Sequence, residues 1–167
     1  MIDSTVAAAD NVVVTSASGT RVGVNRSIRV AIADRHENFR VACRRILELE
    51  SDIEMVSESS TGFGLSPLLD LMKADVLLFD EKIWEAEGQG AFKSIREQFP
   101  NLKILYMVSS DDWTGSLEAM QLGVNGVIEK GRNTAHLPKA IRKIVDGELW
   151  ISRKLTSALM QAEFQRS

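Results

Sequence analysis

Short apolar runs alternate with amphipathic stretches along residues 28–152 of this chain. Apolar runs bounded by polar positions are typical of strands that are buried on both faces of a sheet. Stretches in which apolar residues recur every three or four positions are typical of helices that cover such a sheet. The predicted strands are Ile28–Asp34, Ile53–Ser57, Val76–Asp80, Ile104–Val108 and Val124–Glu129. The predicted helices lie near residues 37–50, 64–73, 91–99, 111–122 and 137–147, and a loop is expected over 81–90.

The regular alternation of these elements predicts an α/β fold. Right-handed crossovers between successive strands would give a doubly wound, flavodoxin-like sheet of five parallel strands in the order 2-1-3-4-5. Because the carboxyl ends of parallel strands share one edge of such a sheet, residues that follow these ends are expected to meet. The first and third strands end on Asp34 and Asp80, and Lys130 directly follows the fifth. The sequence therefore predicts two carboxylates and an ammonium group in one crevice.

Two segments flank this domain, which we place at residues 28–152. Residues 1–27 are rich in Ser, Thr, Ala, Gly and Val and lack helical periodicity, so we predict a flexible tail. A hairpin that pairs Val12–Val14 with Arg21–Val24 is the alternative. Residues 153–167 are predicted to form a C-terminal helix or linker with a weak apolar stripe.

Composition narrows the class of protein. The 167 residues suffice for one domain, and the net charge of -3 offers no basic footprint, so we expect no direct nucleic-acid binding by this segment. The single cysteine, Cys43, lies on the apolar face of a predicted helix, where it is expected to pack.

No apolar stretch approaches the roughly 20 residues of a membrane span. Asp3 and Asp10 also interrupt the start of the chain where a signal peptide needs other residues. We predict a cytoplasmic protein without membrane contact.

Five stretches carry a resemblance to a known family. They are VAIADRHENFR at the first strand, DVLLFD at the third, ILYMVSSDDW at the fourth, GVNGVIEK at the fifth and AIRKIVDGELWIS near the end. In order and spacing they resemble the receiver domain of bacterial response regulators, specifically its NarL/FixJ (LuxR-type) branch. The resemblance covers residues 28 to about 155, and it supports the same doubly wound fold.

The resemblance implies a role for each residue of the predicted crevice. Receiver domains take a phosphoryl group from a histidine kinase onto one aspartate, with Mg²⁺ bound, and are signalling modules rather than enzymes. By resemblance, Asp80 is the phospho-acceptor and Lys130 contacts the phosphoryl oxygens. Asp34, Asp80 and the backbone carbonyl of Lys82 would hold Mg²⁺. Phosphoryl transfer depends on positioning and on cations that neutralise the equatorial oxygens, which such a set of residues can supply.

Arg35 is the first departure from the family's pattern. Active receivers carry two adjacent acidic residues after the first strand, whereas here Asp34 is followed by Arg35. The guanidinium group would repel a metal ion, take its place by pairing with Asp34 or Asp80, or simply face solvent. The first two alternatives count against Mg²⁺ as a cofactor.

Two further departures concern side chains that respond to phosphorylation in the family. Val108 aligns with a Ser/Thr whose hydroxyl contacts the phosphoryl group, and valine has no donor. Ser109 is the adjacent candidate for a phosphoryl contact, although strand alternation would point it to the other face. Val127 stands where a switching Tyr or Phe is frequent. Glu81 and Glu85 are considered as additional metal ligands, with solvated charges as the simpler interpretation.

The functional hypothesis is a receiver domain of a two-component transcription regulator that acts through protein–protein contacts, including homodimerisation. It works either through phosphorylated Asp80 or as a stand-alone pseudo-receiver that neither binds Mg²⁺ nor accepts phosphate. The chain is either a receiver fragment without its DNA-binding domain or a stand-alone receiver. A flavodoxin-like protein that binds nucleotide or flavin is the remote alternative. It is disfavoured because DRHENFR after the first strand contains no glycine-rich phosphate loop.

Overall fold

A computed structural model describes residues 5–8, 11–15, 21–109, 113–131 and 133–167, with side chains from Arg26 onward except that of Trp113. Its central element is a five-stranded parallel sheet in the spatial order β5-β4-β6-β7-β8. The strands are β4 (Ile28–Ala33), β5 (Ile53–Ser59), β6 (Val76–Asp80), β7 (Lys103–Val108) and β8 (Gly126–Glu129). Counted within the domain, this is the order 2-1-3-4-5, so the predicted fold class is confirmed.

Helices cover both faces of the sheet. They are α1 (Glu37–Glu48), α2 (Leu65–Met72), α3 (Glu81–Glu87), α4 (Gln89–Gln98), α5 (Trp113–Gln121), α6 (Leu137–Val145) and α7 (Arg153–Arg166). One face packs against α1 and α6, where Cys43 and Leu47 lie beside Ile141. The other face packs against α2, α3, α4, α5 and α7. Cys43 is fully buried, as its position on the apolar face of α1 predicts.

The segment that follows Asp80 differs from the prediction. A loop was expected there, but α3 begins directly at Glu81. Burial of Ile83 and Trp84 explains the difference, because an apolar pair within EKIWEAE gives this short helix an inner face. The Trp84 ring packs 5.0 Å from the ring of Phe92 and 5.5 Å from that of Tyr106, measured between centroids. Gly88, at φ 77, ends the helix.

Three short strands precede the domain. They are β1 (Thr5–Ala8), β2 (Asn11–Thr15) and β3 (Arg21–Asn25), which pair antiparallel in chain order. The β2–β3 pair corresponds to the hairpin that was the alternative to a flexible tail, while the flexibility of residues 1–27 stays a prediction. The aspartates 111 and 112, predicted to begin a helix, lie outside the described residues. Within the described ranges, no helix has the length and apolar character needed to cross a bilayer.

Candidate functional site

Three side chains from three strand ends meet at the carboxyl edge of the sheet. Asp34 directly follows β4, Asp80 is the last residue of β6, and Lys130 directly follows β8. Lys130 Nζ lies 2.5 Å from Asp34 Oδ2 and 2.8 Å from Asp80 Oδ1. We call this group the Asp34–Lys130–Asp80 triad. The structure thus brings together the three residues that the strand pattern placed at one edge.

Sheet register explains why these residues meet. β4 and β6 are neighbours, and Ala33 pairs with Phe79, so the two aspartates that follow lie side by side. Lys130 reaches them from the outer strand, across the end of β7, and its backbone N–H donates to the carbonyl of Val108 at 2.8 Å. A long, flexible side chain is needed to reach from the end of β8 to the aspartates at the ends of β4 and β6, and lysine provides one.

The triad is buried from water. Both aspartates are fully buried, and only 12% of the Lys130 side chain is exposed. The ring of Phe39, from α1, lies 4.6 Å from Lys130 Nζ, measured to the ring centroid. The negative face of an aromatic ring attracts a cation, so Phe39 adds to the enclosure of the ammonium group.

Asp34 is fixed by contacts on its other side. Its Oδ1 accepts the backbone N–H of His36 at 2.8 Å and lies 3.2 Å from Nδ1 of the same histidine ring. The backbone carbonyl of Asp34 accepts a hydrogen bond from Arg40 Nη1 at 2.7 Å. These bonds hold Asp34 in place while its Oδ2 faces Lys130.

The charges of the triad do not balance. Two carboxylates face one ammonium group, so the formal charges of the three side chains sum to one negative charge. Asp80 Oδ2 is buried without a hydrogen-bond partner among the described residues, and Asp34 Oδ2 contacts Lys130 at ion-pair distance without hydrogen-bond geometry. Buried charges are normally paired. The free oxygen of Asp80 therefore offers a position for a cation or for a bond to an incoming group.

The donor set fits Mg²⁺ poorly. This ion requires near-octahedral oxygen ligands, and Lys130 already lies between the two carboxylates. Lys82 is in the first turn of α3, and helical carbonyls point toward the C-terminal end, so its carbonyl is directed along α3. The third side chain near the aspartates is His36: one ligand atom each of Asp34, His36 and Asp80 lie within 4.8 Å of one another. An imidazole nitrogen is not a ligand that Mg²⁺ prefers.

Arg35 takes no part in the triad. It is exposed, and among the described residues it forms no ion pair with Asp34 or Asp80. One alternative for Arg35 was that it pairs with an aspartate in place of a metal ion, and this alternative is therefore wrong. Lys130, and not Arg35, contacts the two aspartates. Arg35 contributes a positive charge near the crevice and no oxygen ligand.

The two other residues that depart from the family's pattern lie in the neighbouring strands β7 and β8. Val108 and Val127 are both buried, and neither side chain has a hydrogen-bond donor. Ser109 is exposed, and its backbone N–H donates to Glu81 Oε1 at 2.6 Å. Glu85 pairs with Lys82 at 2.7 Å on the surface of α3. The Glu81–Ser109 bond was not predicted, since the loop expected after Asp80 gave no reason to place Glu81 beside β7.

A doubly wound sheet whose carboxyl edge carries two aspartates and a lysine defines a receiver-type signalling module. Comparison with known proteins agrees: residues 30–142 match the response regulator receiver domain family. The chain belongs to this family. The predicted resemblance to receiver domains of its NarL/FixJ branch is confirmed.

Curated relatives and solved structures are consistent with this assignment. The chain is 27% identical to the transcriptional regulatory protein DegU of Brevibacillus brevis, over 83% of this chain and 58% of DegU. It is 31% identical to the oxygen regulatory protein NreC of Staphylococcus aureus, over 80% of this chain and 62% of NreC. The isolated receiver domain of RcsB from Salmonella enterica serovar Typhimurium has the same fold, with a TM-score of 0.72 and 24% identity over 80% of this chain and 99% of that domain. The chain thus spans about 60% of the curated relatives that it matches.

Proposed function

We propose that this chain is the signal-input domain of a LuxR-type transcription regulator, and that Lys130 holds its acidic site in one state without Mg²⁺-dependent phosphorylation of Asp80. The observation that carries the proposal is the ammonium group of Lys130 in contact with both buried carboxylates. In this role Lys130 supplies the positive charge that a metal ion would otherwise supply. The chain then acts as an atypical receiver through protein–protein contacts.

The energetics of the site favour this proposal. A metal ion between Asp34 and Asp80 would have to displace Lys130 from both carboxylates, and separating a buried ion pair is costly. Arg35 would repel the incoming cation, and its position supplies no oxygen ligand in return. Each of these effects lowers Mg²⁺ affinity, and they act in the same direction.

The coupling between a phosphoryl group on Asp80 and the surface of the domain is also weaker than in the resembled family. Val108 and Val127 provide neither the hydroxyl nor the aromatic ring that the resembled family uses to couple the site to the surface. We therefore assign regulation to contacts with a partner, either a histidine kinase or another signalling protein, and to homodimerisation. A structure of RcsB contains dimers bound to DNA. For this chain, DNA binding would belong to the remainder of a longer protein, since its own net charge is -3.

A conventional receiver is the second candidate, and Asp80 Oδ2 favours it. Among the described residues this oxygen is buried without a hydrogen-bond partner, as a nucleophile poised for a phosphoryl group would be. In this version Lys130 moves from Asp34 toward the phosphoryl oxygens when Asp80 is modified. The two candidates differ in one measurable property, which is the reactivity of Asp80.

The test uses a small-molecule phosphoryl donor, acetyl phosphate, with and without Mg²⁺, followed by intact mass spectrometry. We expect no phosphoryl adduct on the wild-type chain in either condition. Arg35→Asp restores a second acid after β4 and is expected to gain an adduct that requires Mg²⁺ and disappears in Arg35→Asp/Asp80→Asn. A Mg²⁺-dependent adduct on the wild type that Asp80→Asn abolishes would establish the conventional receiver instead.

A further inference from the structure

Glu81 makes a contact that the triad does not explain. It is the first residue of α3, and its half-buried carboxylate accepts the backbone N–H of Ser109 at 2.6 Å. Glu85, one turn later, forms an ordinary exposed pair with Lys82 on its own helix. Glu81 instead links the segment after the acceptor aspartate to the end of a neighbouring strand.

The strand register places the Ser109 N–H at the same sheet edge as Asp80. Asp80 pairs with Met107 across β6 and β7, and the carbonyl of Val108 accepts the N–H of Lys130. Ser109 comes next along the chain, so its N–H is at the sheet edge between the strand that ends in Asp80 and the segment that carries Lys130. A tetrahedral oxyanion at Asp80 carries several oxygens and requires more donors than Lys130 alone.

The rest of α3 holds Glu81 in this place. Ile83 and Trp84 are buried beneath the helix, so its first turn cannot move freely away from β7. At the other end of α3, Glu87 accepts hydrogen bonds from the hydroxyl of Thr61 at 2.6 Å and from the N–H of Gly62 at 3.0 Å. The helix is thus attached on both sides, and the Glu81–Ser109 bond is one of its attachments.

We propose that Glu81 is an internal anionic ligand that occupies an oxyanion-binding position at the end of β7. Its carboxylate accepts the hydrogen bond of the Ser109 N–H and adds a negative charge next to Asp80 in the chain. Both effects disfavour binding of a phosphoryl group, or of its fluoride-containing mimic beryllofluoride, at Asp80. This inference rests on the proposed function, because it names a second residue that keeps the acidic site in one state.

The experiment follows the Ser109 amide by ¹H–¹⁵N NMR while beryllofluoride is titrated at a fixed Mg²⁺ concentration. In the wild type we expect this amide to remain unchanged, because Arg35 and Lys130 disfavour Mg²⁺ at the acidic site. The role of Glu81 is therefore measured in Arg35→Asp, the variant that is expected to accept a phosphoryl group with Mg²⁺. Adding Glu81→Ala to Arg35→Asp should move the Ser109 amide proton upfield, because a charge-assisted bond is lost, and should make apparent beryllofluoride binding roughly tenfold tighter than in Arg35→Asp. Adding Glu85→Ala instead is the matched control on the same helix and should leave binding as it is in Arg35→Asp.

Three outcomes separate this inference from the proposed function. Equal binding by Arg35→Asp and Arg35→Asp/Glu81→Ala, with no response in the wild type, overturns the role of Glu81 and leaves the proposed function standing. A response in the wild type overturns the proposed function, and the role of Glu81 survives only if Glu81→Ala binds more tightly than the wild type. No response in the wild type or in either variant overturns the role of Glu81, because removal of its carboxylate then admits nothing. If Glu81→Ala fails to fold, Glu81→Gln keeps the size of the side chain, removes the charge and is judged by the same comparison.

Discussion

Removal of the Lys130 ammonium group is the sharpest perturbation of the triad. Lys130→Met keeps most of the apolar stem and leaves two fully buried carboxylates facing each other without their common cation. If Lys130 is the internal substitute for a metal ion, the folded domain should depend on it strongly. A lysine that merely rests near the carboxylates would be replaceable at little cost.

The expected magnitude follows from the burial of the three groups. Removing one partner of a buried ion pair costs about 3–5 kcal/mol of unfolding free energy, because the remaining charge stays buried and unpaired. Domains are stable by only about 5–15 kcal/mol, so Lys130→Met should remove a large part of the total. An exposed pair offers the contrast. Lys143 and Glu148 lie 3.0 Å apart with about half of each side chain exposed, and such pairs contribute about 0–1 kcal/mol.

Urea unfolding at neutral pH, followed by far-UV circular dichroism, measures these differences. Lys130→Met is expected to lose about 3–5 kcal/mol and Lys143→Met at most about 1 kcal/mol. The triple variant Asp34→Asn/Asp80→Asn/Lys130→Met removes all three charges together and should recover most of the loss, since a neutral set leaves no unpaired charge. The reasoning is refuted if Lys130→Met costs no more than Lys143→Met.

Three further predictions concern other parts of the domain. Burial raises the pKa of the Cys43 thiol to about 12, so a disulfide reagent at pH 8 should leave it unmodified in the folded protein and modify it in urea. Gly126→Ala would place a Cβ 2.8 Å from the carbonyl oxygen of Trp150, and the overpacking should lower the unfolding free energy by about 1–3 kcal/mol, measured in urea. The hydrogen bond from Arg142 lowers the pKa of Asp52, so this contribution to stability is present above the unfolded pKa and is lost as pH falls through the lowered folded pKa. The difference between wild type and Arg142→Ala in urea unfolding should therefore shrink from pH 7 to pH 3, and an unchanged difference would count against the bond.

The sheet and its edge could be predicted from the sequence because they depend on short-range patterns. Apolar runs located the strands, and the charged residues after them identified Asp34, Asp80 and Lys130 as residues that would meet. Parallel topology alone brings such positions together, so no knowledge of side-chain packing was required.

The helix after Asp80 and the bonds it makes could not be predicted in this way. EKIWEAE is too short for a periodic pattern, and its helical state depends on burial of Trp84 against Phe92 and Tyr106 from distant parts of the chain. The Glu81–Ser109 bond depends in turn on that helix. The position of Arg35 was open for a related reason: a side chain at the mouth of a crevice can pair or face solvent, and only the three-dimensional arrangement decides between them.

A crystal structure grown with Mg²⁺ and beryllofluoride would test the central claim most directly. We predict that Lys130 Nζ stays in contact with both Asp34 and Asp80 and that no metal ion lies between the carboxylates. A hexacoordinate Mg²⁺ ion at these aspartates, with beryllofluoride on Asp80 and Lys130 turned away from Asp34, would contradict it.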